Sequence, residues 1–123
     1  MSLQESGEMY LESIVVLRGR LGVVRAIDIV NFTGYSKPSI SRAVGLLKSD
    51  GLITVDSSGH ITLTPQGELI ADRVYERHQV LTGFFLKIGV SPETAERDAC
   101  RIEHVISDET FEKLRTHGKG DDV

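Results

Sequence analysis

Apolar residues recur along this chain with two different periods, and the change of period marks out its elements. Leu11, Ile14 and Val15 form a stripe at helical spacing, which predicts a first helix over Glu5–Leu17 with its exit at Gly19 and Gly22. Val24, Ile27, Ile29 and Val30 predict a short second helix ending at Phe32, followed by the turn Asn31-Phe32-Thr33-Gly34-Tyr35. Ser36 then predicts an N-cap and Pro38 sits in the first turn, opening a third helix through Leu47 that faces Ile40, Val44 and Leu47 inward. From Gly51 the period falls to two. Gly51-Leu52-Ile53-Thr54-Val55, the turn Asp56-Ser57-Ser58-Gly59 and His60-Ile61-Thr62-Leu63-Thr64 predict a β-hairpin. Thr64-Pro65-Gln66-Gly67 opens a long fourth helix to about Ile88, with the stripe Leu69, Ile70, Val74, Leu81, Phe84 and Phe85, and Gly89 stops it. Ser91-Pro92 starts a fifth helix, and Ser107 caps a last one carrying Phe111 and Leu114.

Two helices joined by a Gly-containing turn are a helix-turn-helix, and a hairpin after the second of them is a wing. The expected fold is therefore mainly α with a small β-hairpin: a winged helix-turn-helix followed by a helical dimerisation domain. Residues 1–66 are expected to form the DNA-binding unit, with the first helix shared with the core, and residues 67–117 the helical unit. Residues 118–123, rich in Gly and Asp, are expected to be a disordered tail.

Net charge taken alone opposes a nucleic-acid role, because the formal value is −4. Its distribution reverses that inference. Ser13–Ser49 holds Arg18, Arg20, Arg25, Lys37, Arg42 and Lys48 against the single acid Asp28, whereas Gly51 onward holds 13 acids against 8 bases. The basic excess lies where phosphates would be met. No apolar run approaches the roughly 20 residues that cross a bilayer, and the N-terminus lacks a signal-peptide pattern. With Cys100 as the single cysteine, no internal disulfide is available and a cytoplasmic location is the expectation.

Two clusters carry candidate chemistry. Cys100, Glu103 and His104 lie at i, i+3, i+4, so one helical face would present a thiol, a carboxyl and an imidazole. Met9 and Glu12 are i, i+3 on the first helix, and His78 lies within the fourth. These are donor types for a borderline or soft divalent transition metal rather than for calcium or magnesium. Spacing alone leaves other readings open, and favours a half-buried thiol beside a solvated ion pair. A methionine such as Met9 is more often a core gap-filler than a ligand, and a histidine such as His78 more often an amphipathic surface residue. A catalytic Cys–His pair lacks an orienting partner and an oxyanion loop, so an enzyme is not expected.

The segments Glu8-Met9-Tyr10-Leu11, Ser36-Lys37-Pro38-Ser39-Ile40-Ser41, Leu63-Thr64-Pro65-Gln66-Gly67 and Asp98-Ala99-Cys100-Arg101-Ile102-Glu103-His104-Val105-Ile106-Ser107-Asp108-Glu109 resemble the DtxR/MntR family of iron- and manganese-dependent repressors. The resemblance covers nearly the whole chain, and the last segment is its most specific part. It implies that Met9, Cys100, Glu103 and His104 match the regulatory metal site of iron-type members. His78 matches a histidine of a second site in both branches, and Glu12 a carboxylate used by manganese-type members. Two positions that hold a carboxylate and a histidine in the iron-type second site are occupied by Thr82 and Glu96, of which Glu96 retains a donor. Two metal ions per subunit are compatible with this set. Longer members carry an additional small SH3-like β-barrel domain, and this chain is expected to be a short form without it.

The expectation is thus a metal-dependent, DNA-binding repressor acting as a homodimer on a pseudo-palindromic double-stranded operator, without membrane or organic substrate. The sulfur donors favour Fe(II), with Mn(II) the alternative through Glu12. On the DNA side Ser36, Lys37, Ser39, Ser41 and Arg42 are expected on the recognition helix. Arg25, Ser57, Ser58 and His60 are expected against the phosphate backbone. The alternative function is a winged-helix regulator responding to a small organic ligand or to a redox signal through Cys100.

Overall fold

The computed structural model describes residues 3–120, with side chains for residues 7–117. It divides into two compact units, Met1–Asp72 and Arg73–Val123, so the boundary falls inside a helix rather than at the expected 66/67.

The first unit begins with α1 (Leu3–Leu21). Leu11, Ile14 and Leu17 are nearly or fully buried along one stripe of it, and it runs a turn beyond the expected Leu17. Gly19 stays helical, and Gly22 ends α1 at φ 81°, with its N–H on the Arg18 carbonyl at 2.9 Å. The second helix, α2 (Ala26–Thr33), starts later than expected. Val24, expected to be helical, instead pairs with Ile61 as an isolated antiparallel bridge, and its carbonyl accepts the Ile61 N–H at 2.7 Å. A backbone group committed to a strand cannot also join a helical ladder. The inward face also differs from the expected set: Ile29 is 1% exposed, whereas Ile27 is exposed.

Ser36 caps α3 (Lys37–Ser49), its hydroxyl accepting the Ser39 N–H at 3.2 Å, with Pro38 in the first turn as expected. Ile40, Ala43 and Leu47 are its buried positions. The hairpin is short: β1 (Ile53–Val55) pairs antiparallel with β2 (Ile61–Leu63), Ile53 opposite Leu63 and Val55 opposite Ile61. A lone hairpin is marginal. This one buries Ile53, Ile61 and Leu63 in the same core as Leu11, Ile14, Ile29 and Ile40, each side chain contributing about 1.5–3 kcal/mol. At its tip the Asp56 carboxyl accepts the Ser58 N–H at 2.8 Å and the His60 N–H at 2.9 Å. The His60 and Ser58 amides hold the Asp56 pKa below its usual value.

Thr64 opens α4 (Pro65–Lys87) by accepting the Gly67 N–H at 3.1 Å while its hydroxyl donates to the Gly51 carbonyl at 2.7 Å. The helix continues into the second unit. Its buried apolar side chains are Ala71, Val74 and Leu81, whereas Leu69 of the expected stripe is 72% exposed. Leu69 precedes Ala71 by two residues, about 200° round the helix. In the second unit, Ser91 caps α5 (Pro92–Ile102) and Ser107 caps α6 (Asp108–Gly120), both as expected. Ala95, Ala99 and Phe111 are buried. The helix α6 includes residues 118–120, which were expected in the tail; the remainder of that expectation, residues 121–123, lies outside the described residues.

Candidate metal centre and nucleic-acid interface

In the second unit the feature that stands out chemically is Glu103. It caps the C-terminal end of α5, its N–H bonded to the Ala99 carbonyl at 2.9 Å, and its side chain is completely inaccessible to solvent. Carboxyl groups are rarely buried without partners. Here Oε1 lies 3.3 Å from Nδ1 of His78 and 3.8 Å from Nε2 of His104, while Oε2 is buried with no hydrogen-bond partner among the described residues. Both imidazoles are largely buried, at 20% and 9% side-chain exposure. His78, expected either on the surface or at a metal, therefore turns inward from α4.

A buried carboxyl oxygen without a partner, close to two imidazoles, is the environment a divalent cation satisfies, and the donor set of oxygen and nitrogen fits one. Thr82, one turn after His78, adds a buried hydroxyl with no hydrogen-bond partner among the described residues. The expected face of Cys100, Glu103 and His104 is only partly realised. The helix ends at Ile102, and Cys100 is exposed while Glu103 is buried. Glu96 also lies on the exposed side of α5.

In the first unit, Met9 and Glu12 are half-buried on α1. The Met9 sulfur accepts the Tyr35 hydroxyl at 3.8 Å, and Tyr35 stands edge-on to Tyr10 with ring centroids 6.3 Å apart. Tyr35 immediately precedes the cap of α3. This contact was not legible in the sequence, because 26 residues separate its members.

The same unit carries the residues expected at DNA. Lys37, Ser39, Ser41 and Arg42 are all exposed on α3, and Ser57 and Ser58 are exposed at the hairpin tip. Ser36 is exposed but engaged as the cap. Arg25, whose N–H donates to the Asp28 carboxylate at 2.9 Å at the start of α2, also reaches Nε2 of His60 at 3.0 Å. Two of the four residues expected to touch backbone phosphates are thus brought together from positions 35 apart in sequence. The basic excess is not all available. Arg18 forms an ion pair with Glu68, whose hydrogen bond holds the Arg18 pKa above its usual value, and Arg20 lies over the Phe32 ring at 5.6 Å.

Comparison with known proteins places this geometry. Residues 64–119 match the iron-dependent repressor metal-binding and dimerisation domain. The transcriptional regulator MntR of Escherichia coli O6:H1 is 38% identical over 106 residues, covering 86% of this chain and 68% of that protein. The chain belongs to the DtxR/MntR family. The diphtheria toxin repressor of Corynebacterium diphtheriae is 31% identical over 113 residues, covering 91% of this chain and 50% of that repressor. Among solved structures, the manganese regulator SloR superposes with a TM-score of 0.81 at 24% identity, covering 97% of this chain and 55% of that one. The metal-dependent transcriptional regulator MtsR gives 0.85 at 20% identity, covering 97% of this chain and 55% of that one. At these identities the superpositions establish the fold. The chain spans about two thirds of the length of the E. coli relative and about half that of the diphtheria repressor and of SloR.

One contributor went unnoticed in the sequence. Arg77 donates to the Ile106 carbonyl at 2.8 Å and the Glu103 carbonyl at 3.3 Å, and pairs with Asp108. Its adjacency to His78 was the available signal, but a run of Arg77-His78-Gln79 reads as a solvated face.

Proposed function

We propose that this chain is a metal-dependent DNA-binding transcriptional repressor, active as a cytoplasmic homodimer on a pseudo-palindromic operator. The observation that carries the metal half is Glu103, buried beside His78 and His104 with one oxygen unpartnered among the described residues. Glu103, His104 and His78 are the residues proposed to hold the ion. For Met9 and Glu12 on α1, the proposal is the metal-donor role that the family resemblance implies. The bound cation supplies positive charge that offsets carboxylates gathered around it. DNA affinity rises only by the difference in metal affinity between arrangements of the protein that fit DNA and those that do not.

For the metal, Mn(II) is proposed ahead of the Fe(II) favoured by the sulfur donors. The inward groups are carboxyl and imidazole, whereas the Cys100 thiol is exposed. The carboxyl suits manganese and the two imidazoles suit iron as well, so the preference rests on the exposed thiol, whose removal takes away the main argument for a softer ion. The relatives named MntR support the same direction.

On the DNA side, α3 is the proposed major-groove helix. Its cap Ser36 fixes where the helix starts, Lys37 and Arg42 face phosphates or base edges, and Ser39 and Ser41 lie beside them. Arg25, with His60 and the wing-tip Ser57 and Ser58, is proposed to meet the backbone, which positions without reading sequence. In a two-fold dimer the paired helices must address groove faces about 34–36 Å apart or a multiple of that. The test of the metal half is direct: Mn(II) bound after dialysis, counted by elemental analysis, is present in the wild type and in Lys37→Ala but lost in His104→Ala. Retention in His104→Ala would remove this group as the site.

A further inference from the structure

Two donors of the proposed site come from a turn with little regular structure of its own. Glu103 closes α5 and His104 lies in the four-residue stretch before Ser107 caps α6. Carbonyls at a helix C-terminus lack intrahelical partners and leave such a turn free to rearrange. Here the Arg77 guanidinium, whose side chain is only 12% exposed, answers the carbonyl of the cap Glu103 and that of Ile106 at the far end of the turn. One nitrogen donates both to the Glu103 carbonyl at 3.3 Å and to the Ile106 carbonyl at 2.8 Å; the other binds the Asp108 carboxylate at the start of α6. The guanidinium also lies over the buried Phe111 ring, 5.3 Å from its centroid. One side chain from α4 therefore pins both ends of the turn. The adjacent residue, His78, meets the side chain of the same Glu103 at 3.3 Å. Consecutive residues of one helix thus address the backbone and the carboxyl of a single residue.

We infer that Arg77 is a positioning residue for the metal-holding group, its fork fixing the turn that carries Glu103 and His104 against His78. The inference rests on the reading of that group as a metal site. It needs the planar fork: a lysine supplies one point charge and cannot span two carbonyls and a carboxylate. Arg115 is the natural control. It lies over the same Phe111 ring at 5.7 Å and pairs with Glu76 and Glu112, but those partners lie outside the turn.

The experiment compares Arg77→Lys, Arg77→Gln and Arg115→Met with wild type, reading Mn(II) affinity by electron paramagnetic resonance and histidine ring resonances in chelator by NMR. Both Arg77 variants are expected to bind Mn(II) roughly tenfold to hundredfold more weakly, the range for loss of groups that orient ligands. Their His78 and His104 resonances should shift even without metal. Arg115→Met should lower the melting temperature and leave both readouts at wild-type values. Wild-type affinity and wild-type resonances in Arg77→Lys would overturn the inference, and this milder variant decides the matter if Arg77→Gln does not fold. Absence of Mn(II) binding in the wild type would instead overturn the metal reading itself, while the resonances in chelator still report whether Arg77 positions the turn.

Discussion

Replacing Glu103 by leucine should raise the stability of the metal-free protein and abolish its response to metal. Oε2 is buried with no partner among the described residues, and an unsatisfied buried polar group costs about 1–3 kcal/mol. Leucine removes that cost with an apolar side chain of similar volume. The loss on the other side is the Oε1 contact to His78 at 3.3 Å and the longer one to His104 at 3.8 Å; the His78 side chain is 20% exposed, so water can replace the closer of them. The net gain in chelator is therefore about 1–2 kcal/mol, and for a chain of this size each kcal/mol moves the melting temperature by about 3–5 °C. With Mn(II) at a hundredfold excess over its dissociation constant, the wild type gains about 2.7 kcal/mol and Glu103→Leu gains nothing. The order of stability inverts between the two conditions. Thermal melts followed by circular dichroism, in chelator and in MnCl2, read both shifts. A variant that is less stable than wild type in chelator would refute the cost assigned to Oε2, and a preserved metal shift would refute Glu103 as a donor.

Other consequences follow from single contacts. A Cβ at Gly67 would sit 2.1 Å from the Leu52 carbonyl oxygen, a clash with backbone, so Gly67→Ala should lose about 2–3 kcal/mol in urea titration. Ser36→Ala removes the α3 cap and should cost about 1 kcal/mol together with some DNA affinity; unchanged urea midpoints would contradict the cap. The Asp56 pKa is lowered from 3.8 by the His60 and Ser58 amides, so its contribution is present above that value and lost as pH falls through the lower folded value. The Ser58 and His60 amide resonances should therefore move together in one acid transition whose midpoint lies below 3.8. Lys37→Ala and Arg42→Ala should each reduce the slope of log affinity against log salt by about 0.9.

The elements written in local chemistry are readable from residue order alone. Ser36 with Pro38, Ser91 with Pro92 and Ser107 each announce a helix start, because a cap acts on amides two or three residues away. The hairpin is legible from alternation on either side of Asp56–Gly59. What escapes is non-local. Val24 looks helical by composition and becomes strand because Ile61, 37 residues on, takes its carbonyl. Leu69 matches an apolar stripe but lies away from Ala71 and Val74, and apolar content alone does not say which side of α4 packs. For the site, residue types point to a metal and the family resemblance names the donors. Glu103 follows the buried Ala95 and Ala99 at four-residue spacing, whereas Cys100 lies one position off that line and is exposed. Arg77 gives a faint signal in the sequence, its adjacency to His78, because two of its partners are backbone carbonyls, which leave no trace in residue identity.

Metal held by this chain is proposed to control its grip on DNA. Fluorescence anisotropy with a labelled duplex carrying a pseudo-palindromic operator, titrated in chelator and then with Mn(II), Fe(II), Co(II) and Zn(II), measures that coupling. Affinity is expected to rise at least tenfold with Mn(II) over chelator, within the range of roughly 5- to 150-fold usual for coupled sites, and to rise less in His104→Ala. Equal affinity in chelator and at saturating metal would contradict the account.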